Sequence, residues 1–221
     1  GAPLARLPFP VFDMAVDGVG RLWATTGGGP LLQLDAATGA LVAQHGEGLT
    51  QALAVQPGSG LLYVSSGDGI EVFDPATRGF RHFTDLRGGS LAFDPDGRLW
   101  GALWPERTDV VRFDDRGRVD LRLAFADGAV DSIAFGAAGS RLAGLLFVSH
   151  NSSIPVGGPL APSELTMVDL LTLRRVAVAT GGTRGDVVRT TADGRVLLSQ
   201  SDQVDVLSPI TAPRVTFTNP A

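Results

Sequence analysis

The chain has 221 residues, of which 44% are hydrophobic and 19% are charged, and its net charge is −5 at pH 7. This balance is typical of an ordinary globular protein, and an acidic chain without a clustered basic face argues against nucleic-acid binding. The absence of Cys excludes disulfides, thiolate catalysis and Cys-ligated metal, and no apolar run is long enough for membrane insertion.

One short pattern recurs five times along the chain: an apolar run, a Gly-containing turn and a second apolar run. It covers residues 14–26, 53–66, 91–103, 133–149 and 188–200. Apolar runs joined by residues that tolerate positive φ are typical of β-hairpins. We therefore predict five hairpins, in which Asp96-Gly97 and Asp193-Gly194 serve turn geometry rather than catalysis.

A second predicted hairpin follows each of the first ones. These hairpins cover residues 31–44, 70–83, 110–123, 165–178 and 204–217. In three of them Asp35, Asp74 or Asp169 stands at the turn, where we expect its carboxylate to accept hydrogen bonds from backbone N–H groups. Each unit therefore holds four short strands, and helices are nearly absent.

The units repeat about every 40–45 residues, with a longer interval before the fifth, which is typical of β-propeller blades. The equivalent second-strand positions are Leu22, Leu62, Leu99, Leu142 and Val196. We predict an all-β propeller with five blades of four antiparallel strands, the alternative being six blades. Closure would come from an N-terminal strand at residues 4–9, which competes with residues 214–217 for the same place in the last blade.

The segments GLLYVSSGDGIEVFDPATRGF (residues 60–80) and DPDGRLW (residues 94–100) resemble the propeller superfamily of NHL repeats, streptogramin-lyase-like and gluconolactonase-like proteins. The resemblance covers about residues 12–207 and implies the fold. It implies a His and a Glu at the channel mouth for the lyases, or Glu, Asn and Asp metal ligands for the lactonases. Neither set matches this sequence residue by residue, so no catalytic residue is predicted.

The C-terminal segment APRVTFTNPA (residues 212–221) resembles the opening of bacterial immunoglobulin-like domains. The resemblance implies a propeller domain at residues 1–212, followed by a linker or the start of another domain at residues 213–221. It also implies a larger bacterial surface protein, and hence an extracellular location. An ordinary last strand is the alternative reading of this segment.

Two predicted loops on one face carry the candidate binding residues. The loop at residues 104–109 contains Trp104, Glu106 and Arg107, and a Trp beside charged residues suits sugar stacking or a protein contact. The long loop at residues 149–163 begins with His150 and Asn151. We expect a protein or carbohydrate partner on this face.

Three carboxylates stand where predicted first strands begin: Asp13, Asp131 and Asp186. Because first strands line the axis of a propeller, these oxygens could converge on a hard cation such as Ca²⁺. The alternative is that they cap backbone groups in a solvated channel. No other cofactor is predicted.

Taken together, these features favour a monomeric, noncatalytic binding or spacer module. One alternative is a lectin-like propeller, although Trp104 occurs in a single unit and a multivalent lectin would repeat it. The other is a hydrolase or lyase with its site at the channel mouth, where Asp131 and Asp186 would be required for turnover.

Overall fold

The computed structural model describes residues 7–125, 129–151, 163–181, 187–200 and 203–209. These residues form antiparallel β-sheets, and no helix occurs among them. The all-β, antiparallel part of the prediction is therefore confirmed. The proposed C-terminal strand at residues 214–217, residues 4–6 and the region 213–221 lie outside the described residues.

The first sheet has seven strands in sequence order. Its strands are β1 (Met14–Val16), β2 (Leu22–Ala24), β3 (Gly29–Leu34), β4 (Leu41–Val55), β5 (Leu62–Ser66), β6 (Gly69–Asp74) and β7 (Gly79–Thr84). The second sheet has the strands β8 (Gly88–Phe93), β9 (Leu99–Leu103), β10 (Asp109–Phe113) and β11 (Val119–Ala124). In both sheets each strand pairs with the one before it, as the hairpin pattern predicts.

Two further sheets complete the described part of the chain. The third contains β12 (Ala129–Phe135), β13 (Leu145–Asn151), β14 (Glu164–Asp169) and β15 (Arg175–Thr180). The fourth contains β16 (Val188–Thr190), β17 (Val196–Ser199) and β18 (Val204–Leu207). The fourth sheet therefore has one described strand fewer than the preceding sheet.

Strand β4 belongs to two units at once. Its first part pairs with β3 and its last part with β5, so the sheet contains two four-stranded meanders that share this strand. Gly46 and Gly48 both have positive φ, and the ladder with β3 is irregular nearby. Glycine adopts positive φ at low steric cost, so the strand can bend at these two residues and still continue from β3 to β5. The sequence predicted two separate strands here, and the structure has one continuous strand.

The apolar core lies between successive meanders. Trp23 and Leu31 of the first meander pack with Leu62 and Phe73 of the second. Corresponding clusters join the second meander to the second sheet, the second sheet to the third, and the third to the fourth. The meanders are therefore stacked face to face in chain order. Such stacking buries both faces of the inner sheets and explains strands such as β5 and β9, which are buried throughout.

The first strands of successive meanders also lie side by side: β8 contacts both β4 and β12, and β12 contacts β16. We call β1, the last part of β4 (residues 51–55), β8, β12 and β16 the leading strands. The end of the molecule where they begin is the leading end. The opposite end carries the β1–β2 and β3–β4 turns and their equivalents, and we call it the turn end.

Carboxylates cap the turns at the turn end, as expected. Asp35 accepts from the backbone N–H groups of Ala37 and Thr38, and Asp169 accepts from those of Leu171 and Thr172. Asp74 caps its turn in the same way through Ala76. Asp35 also accepts from the Thr38 hydroxyl, which is the largest cause of its lowered pKa. The backbone hydrogen bonds favour the ionised form of all three carboxyl groups, so the pKa of Asp74 and that of Asp169 are lowered as well.

At two other turns, the capping carboxylate also accepts a hydrogen bond from a buried tryptophan. Trp23 and Trp100 are each 1% exposed, and the indole N–H groups donate to Asp17 and Asp94 at 2.9 Å. Each of these carboxylates also accepts from the guanidinium of the Arg four residues later. The spacing Asp-x-x-x-Arg-x-Trp therefore binds the turn to the core. Both tryptophans therefore belong to the core between successive meanders.

The fourth unit departs from the sequence alignment. Phe135 pairs with Leu146, in the way that Val16 pairs with Leu22 and Phe93 with Leu99. Leu142 instead lies in the turn before β13, so its assignment as the second-strand equivalent was wrong. The reason is a longer β12–β13 turn, in which Leu142 is buried over Gly136 and mimics a strand residue.

Candidate functional site

Side-chain acceptors on one leading strand bind the backbone of the next. Asp13 accepts from the N–H of Leu53 at 3.1 Å, and Ser132 accepts from that of Val188 at 3.2 Å. Ser90 does the same for Ile133 at 3.2 Å. A leading strand has no ladder of backbone hydrogen bonds with the next leading strand, so its outward N–H groups need such partners when they are buried.

A second set of hydroxyl groups fixes the leading strands from the other side. Thr25, Ser65 and Ser199 stand near the ends of the second strands and accept from backbone N–H groups of the leading strands at 2.8–3.1 Å. Ser149 contacts the carbonyl of Ser132 from the equivalent position. These repeated contacts make the leading end a rigid frame for the side chains around it.

Asp13 connects the first leading strand to the last. Its carboxylate accepts from the guanidinium of Arg189 on β16 at 2.9 Å, besides the backbone groups of Met14 and Leu53. Burial raises the pKa of Asp13, and the opposing effects of Arg189 and the backbone donors do not cancel it. Both carboxylate oxygens already have donors from the protein.

The calcium prediction named Asp13, Asp131 and Asp186. Asp131 forms an ion pair with Arg107, and Asp186 lies outside the described residues. Within the described ranges, no three His, Cys, Asp or Glu side chains come close enough to hold a metal ion. Asp13 and Asp131 are both paired with arginines, while the contribution of Asp186 stays a prediction.

The Trp104 loop lies at the leading end. The Trp104 backbone N–H donates to the carbonyl of Arg87 at 3.0 Å, and the Trp104 side chain is 39% exposed. The Arg107 guanidinium lies 5.5 Å from the centre of the Trp104 ring, while the Arg107 carbonyl accepts from Val130. Arg107 also has a φ of 56°, a left-handed conformation held by these contacts. Glu106 is exposed.

The side chain of His150 is buried, unlike that of Trp104. It is 8% exposed, and its Nε2 lies 2.9 Å from the hydroxyl of Thr166, which in turn donates to Glu164. His150, predicted as a binding residue, is therefore hydrogen-bonded and buried within the third sheet. Asn151 ends β13, and its side chain is outside the described part, as are residues 152–162 of the predicted long loop.

A cavity of about 160 Å³ opens beside Trp104. Its lining comes from the first three meanders and comprises Phe12, Gly27, Gln51, Ser66, Arg87, Gly88 and Trp104. Phe12 is 53% exposed and packs on Gly27, where a Cβ atom would lie only 2.3 Å from the Phe12 ring. We call this space the Trp104 cavity.

Arg87 is the cavity residue that sequence reasoning missed. Its side chain is exposed, and no hydrogen bond or ion pair connects it to another residue of the described ranges. A signal was available, because Arg87 directly precedes the Gly-Gly pair that opens a leading strand. Phe12 and Gln51 stand just before or at the start of a leading strand, and neither was predicted as a site residue.

The turn end has a wider groove of about 630 Å³ between the first two meanders. It is lined by hairpin turns, including Asp17 and Asp74, whose carboxylates already bind backbone or side-chain donors. No aromatic side chain of the described residues lines this groove. The Trp104 cavity is therefore the better candidate for a binding site.

The fold is similar to two solved structures of the extracellular domain of BT4673 from B. thetaiotaomicron, described as a candidate one-component system and a candidate hybrid two-component system. Both have a TM-score of 0.58 and 16% identity over 89% of this chain. The match covers 26% and 27% of those chains, so this chain spans about a quarter of their length. At this identity the likeness shows the fold alone.

No protein-family profile matches the sequence, and no curated protein matches it. Among the described residues, no helix is both long and apolar enough to cross a lipid bilayer.

Proposed function

We propose that this chain is a noncatalytic ligand-binding module whose site is the Trp104 cavity. The observation that carries the proposal is the combination of two exposed aromatic rings, Phe12 and Trp104, with the guanidinium of Arg87 around one cavity. Aromatic faces supply contact area at a low cost in conformational entropy, and a few polar groups fix the orientation of a ligand.

The architecture behind this proposal is a five-bladed ring. Face-to-face stacking of successive meanders and the Asp13–Arg189 contact between first and last leading strands support it. Leu7 and Phe9 pack on the outer face of the first meander, against Ala24, Leu32 and Leu34. An N-terminal strand at residues 4–9 that completes the last blade fits this packing. On this reading the Trp104 cavity lies at the channel mouth.

The surroundings of the module follow from its fold and its C-terminal segment. Similarity to extracellular domains of BT4673 supports an extracellular location in a larger bacterial protein. The hydrolase or lyase alternative would need a carboxylate available for proton transfer at the mouth. Asp13 and Asp131, the described carboxylates of the leading strands, are each bound to an arginine, which favours binding over catalysis.

The test uses Trp104 as its own reporter. Because Trp23 and Trp100 are buried, acrylamide should quench mainly the fluorescence of Trp104. We expect at least one member of a panel of monosaccharides, uronates and aromatic acids to protect Trp104 from quenching in the whole chain. Phe12→Ala should abolish that protection, and Phe83→Leu, a partly buried site outside the cavity, should retain it. A panel without any protection would overturn the proposal.

A further inference from the structure

We propose that the Trp104 cavity selects a carboxylate-bearing six-membered ring, of which a sugar uronate is the expected example. This inference rests on the proposed function and adds the chemical class of the ligand. Within the part of the chain that the structure describes, Arg87 is the charged residue of the lining, and no Asp or Glu lines the cavity. A planar guanidinium without an acidic partner matches a carboxylate through two parallel hydrogen bonds.

The size and the walls of the cavity fit a single ring. About 160 Å³ suits one monosaccharide-sized group rather than a long chain buried along its length. Phe12 and Trp104 contribute two apolar rings to the lining, and Gln51 and Ser66 contribute an amide and a hydroxyl group. An apolar face with polar groups at its edge matches a pyranose, which carries C–H bonds on its face and hydroxyls on its rim.

The preference for a carboxylate must come from short-range contacts inside the cavity. The chain carries a net charge of −5, so its long-range field does not attract an anion. The Arg87 guanidinium must therefore supply the discrimination at contact distance, within the Debye length of physiological salt. The neutral parent sugar loses this contact but keeps the stacking and the hydroxyl contacts, so it should bind more weakly at the same place.

The position of Trp104 supports a preformed cavity. Its backbone N–H is bonded to the carbonyl of Arg87, and its ring lies over Gly89, where a Cβ atom would be 3.6 Å from the indole. The Arg107 guanidinium, 5.5 Å from the ring centre, contacts the same indole. Replacing the side chain of Arg87 leaves its backbone carbonyl in place, so the variant tests charge recognition without removing this support.

The experiment compares galacturonate and glucuronate with galactose and glucose, and benzoate with benzyl alcohol. Binding is measured by calorimetry and by protection of Trp104 from acrylamide. We expect each carboxylate to bind about tenfold or more tightly than its neutral partner, and Arg87→Ala to remove that difference. Arg116→Ala, an exposed arginine at the turn end, is the matched control and should leave it unchanged.

The comparisons in this experiment distinguish a sugar acid from an aromatic acid as the ligand. They also distinguish failure of this inference from failure of the proposed function. Preference for uronates over benzoate supports the sugar acid, and the reverse preference assigns the cavity to aromatic acids and overturns the uronate. Equal binding of acids and neutral partners, unaffected by Arg87→Ala, overturns this inference but keeps the proposed function. Absence of binding in every arm overturns both.

Discussion

The two ends of the molecule differ in the side chains that they leave without partners. At the turn end, Asp17, Asp94 and Asp114 accept from backbone groups, from an Arg and, in two cases, from a buried Trp. At the leading end, the guanidinium of Arg87 forms no hydrogen bond or ion pair with the described residues, and Phe12 lies half exposed. Polar groups with partners inside the protein stabilise the fold, whereas exposed groups without such partners can form hydrogen bonds with a ligand. The comparison therefore assigns stability to both ends and recognition to the leading end alone.

The largest effect should come from the tryptophan-binding carboxylates. Asp94→Ala leaves the buried indole N–H of Trp100 and the turn N–H groups without their acceptor. We expect the free energy of unfolding to fall by about 2–4 kcal/mol in a urea titration. Asp114→Ala removes the same turn cap at an exposed carboxylate where no Trp is involved, and should cost clearly less. Equal losses would show that the indole contact contributes nothing.

The next prediction asks whether the leading end is stabilised as well. Ser132→Ala removes the acceptor for the buried N–H of Val188 and should cost about 1 kcal/mol in unfolding free energy. In the leading strand of the second meander, Ala52 stands at the position that corresponds to Ser132, and its side chain offers no acceptor to the neighbouring strand β8. Ala52→Ser should therefore be neutral or stabilising in the same titration. If Ser132→Ala left the free energy of unfolding unchanged and Ala52→Ser lowered it, side-chain acceptors would not be what stabilises the leading strands.

Acidification should separate a histidine without a bonded partner from one with two. The Nε2 of His45 is buried without a hydrogen-bond partner in the described structure, and burial, together with the charge of Arg78, lowers the pKa of His45. Below about pH 6.5 the unfolded chain binds a proton that the folded chain resists, so stability falls as pH drops toward the folded pKa. His45→Phe should remove this part of the loss.

His82 should contribute with the opposite sign. Hydrogen bonds to Glu71 and Asp85 raise its pKa, so its contribution is fully present below about pH 6.5 and is lost as pH rises through the folded pKa. Thermal unfolding between pH 5 and pH 8 checks both variants. His82→Ala should steepen the loss of stability on acidification, whereas His45→Phe should flatten it. The same change of slope in both variants would contradict the assignment.

A smaller effect concerns backbone strain at the turn end. Leu173 has a φ of 58°, at the position that Gly39 occupies in the first meander with a φ of 69°. Leu173→Gly should raise the free energy of unfolding by about 0.5–1 kcal/mol, because glycine adopts this conformation without steric cost. Leu171→Gly, in the same turn but without positive φ, is the control and should give no gain. A gain in both variants would point to the side chains rather than to strain.

The sequence predicted the turn end better than the leading end, for a physical reason. A turn is a local structure, so Asp35, Asp74 and Asp169 could be assigned from their neighbours in the chain. The Trp104 cavity joins residues from three meanders, and Arg87 gains its meaning only beside Phe12. Leu142 failed for the converse reason, since a buried turn residue has the same local pattern as a strand residue.

The smallest effect on stability should come from the cavity itself. Phe12 is exposed and contacts Gly27 rather than the apolar core between the meanders, so Phe12→Ala should change the free energy of unfolding by less than about 0.5 kcal/mol. The urea titration that detects the loss in Asp94→Ala measures this variant too. A loss above about 1.5 kcal/mol would place Phe12 among the packing residues, and the Trp104 cavity would then be a gap beside a structural side chain. An unchanged stability with lost protection of Trp104 would instead mean that this ring serves the ligand alone.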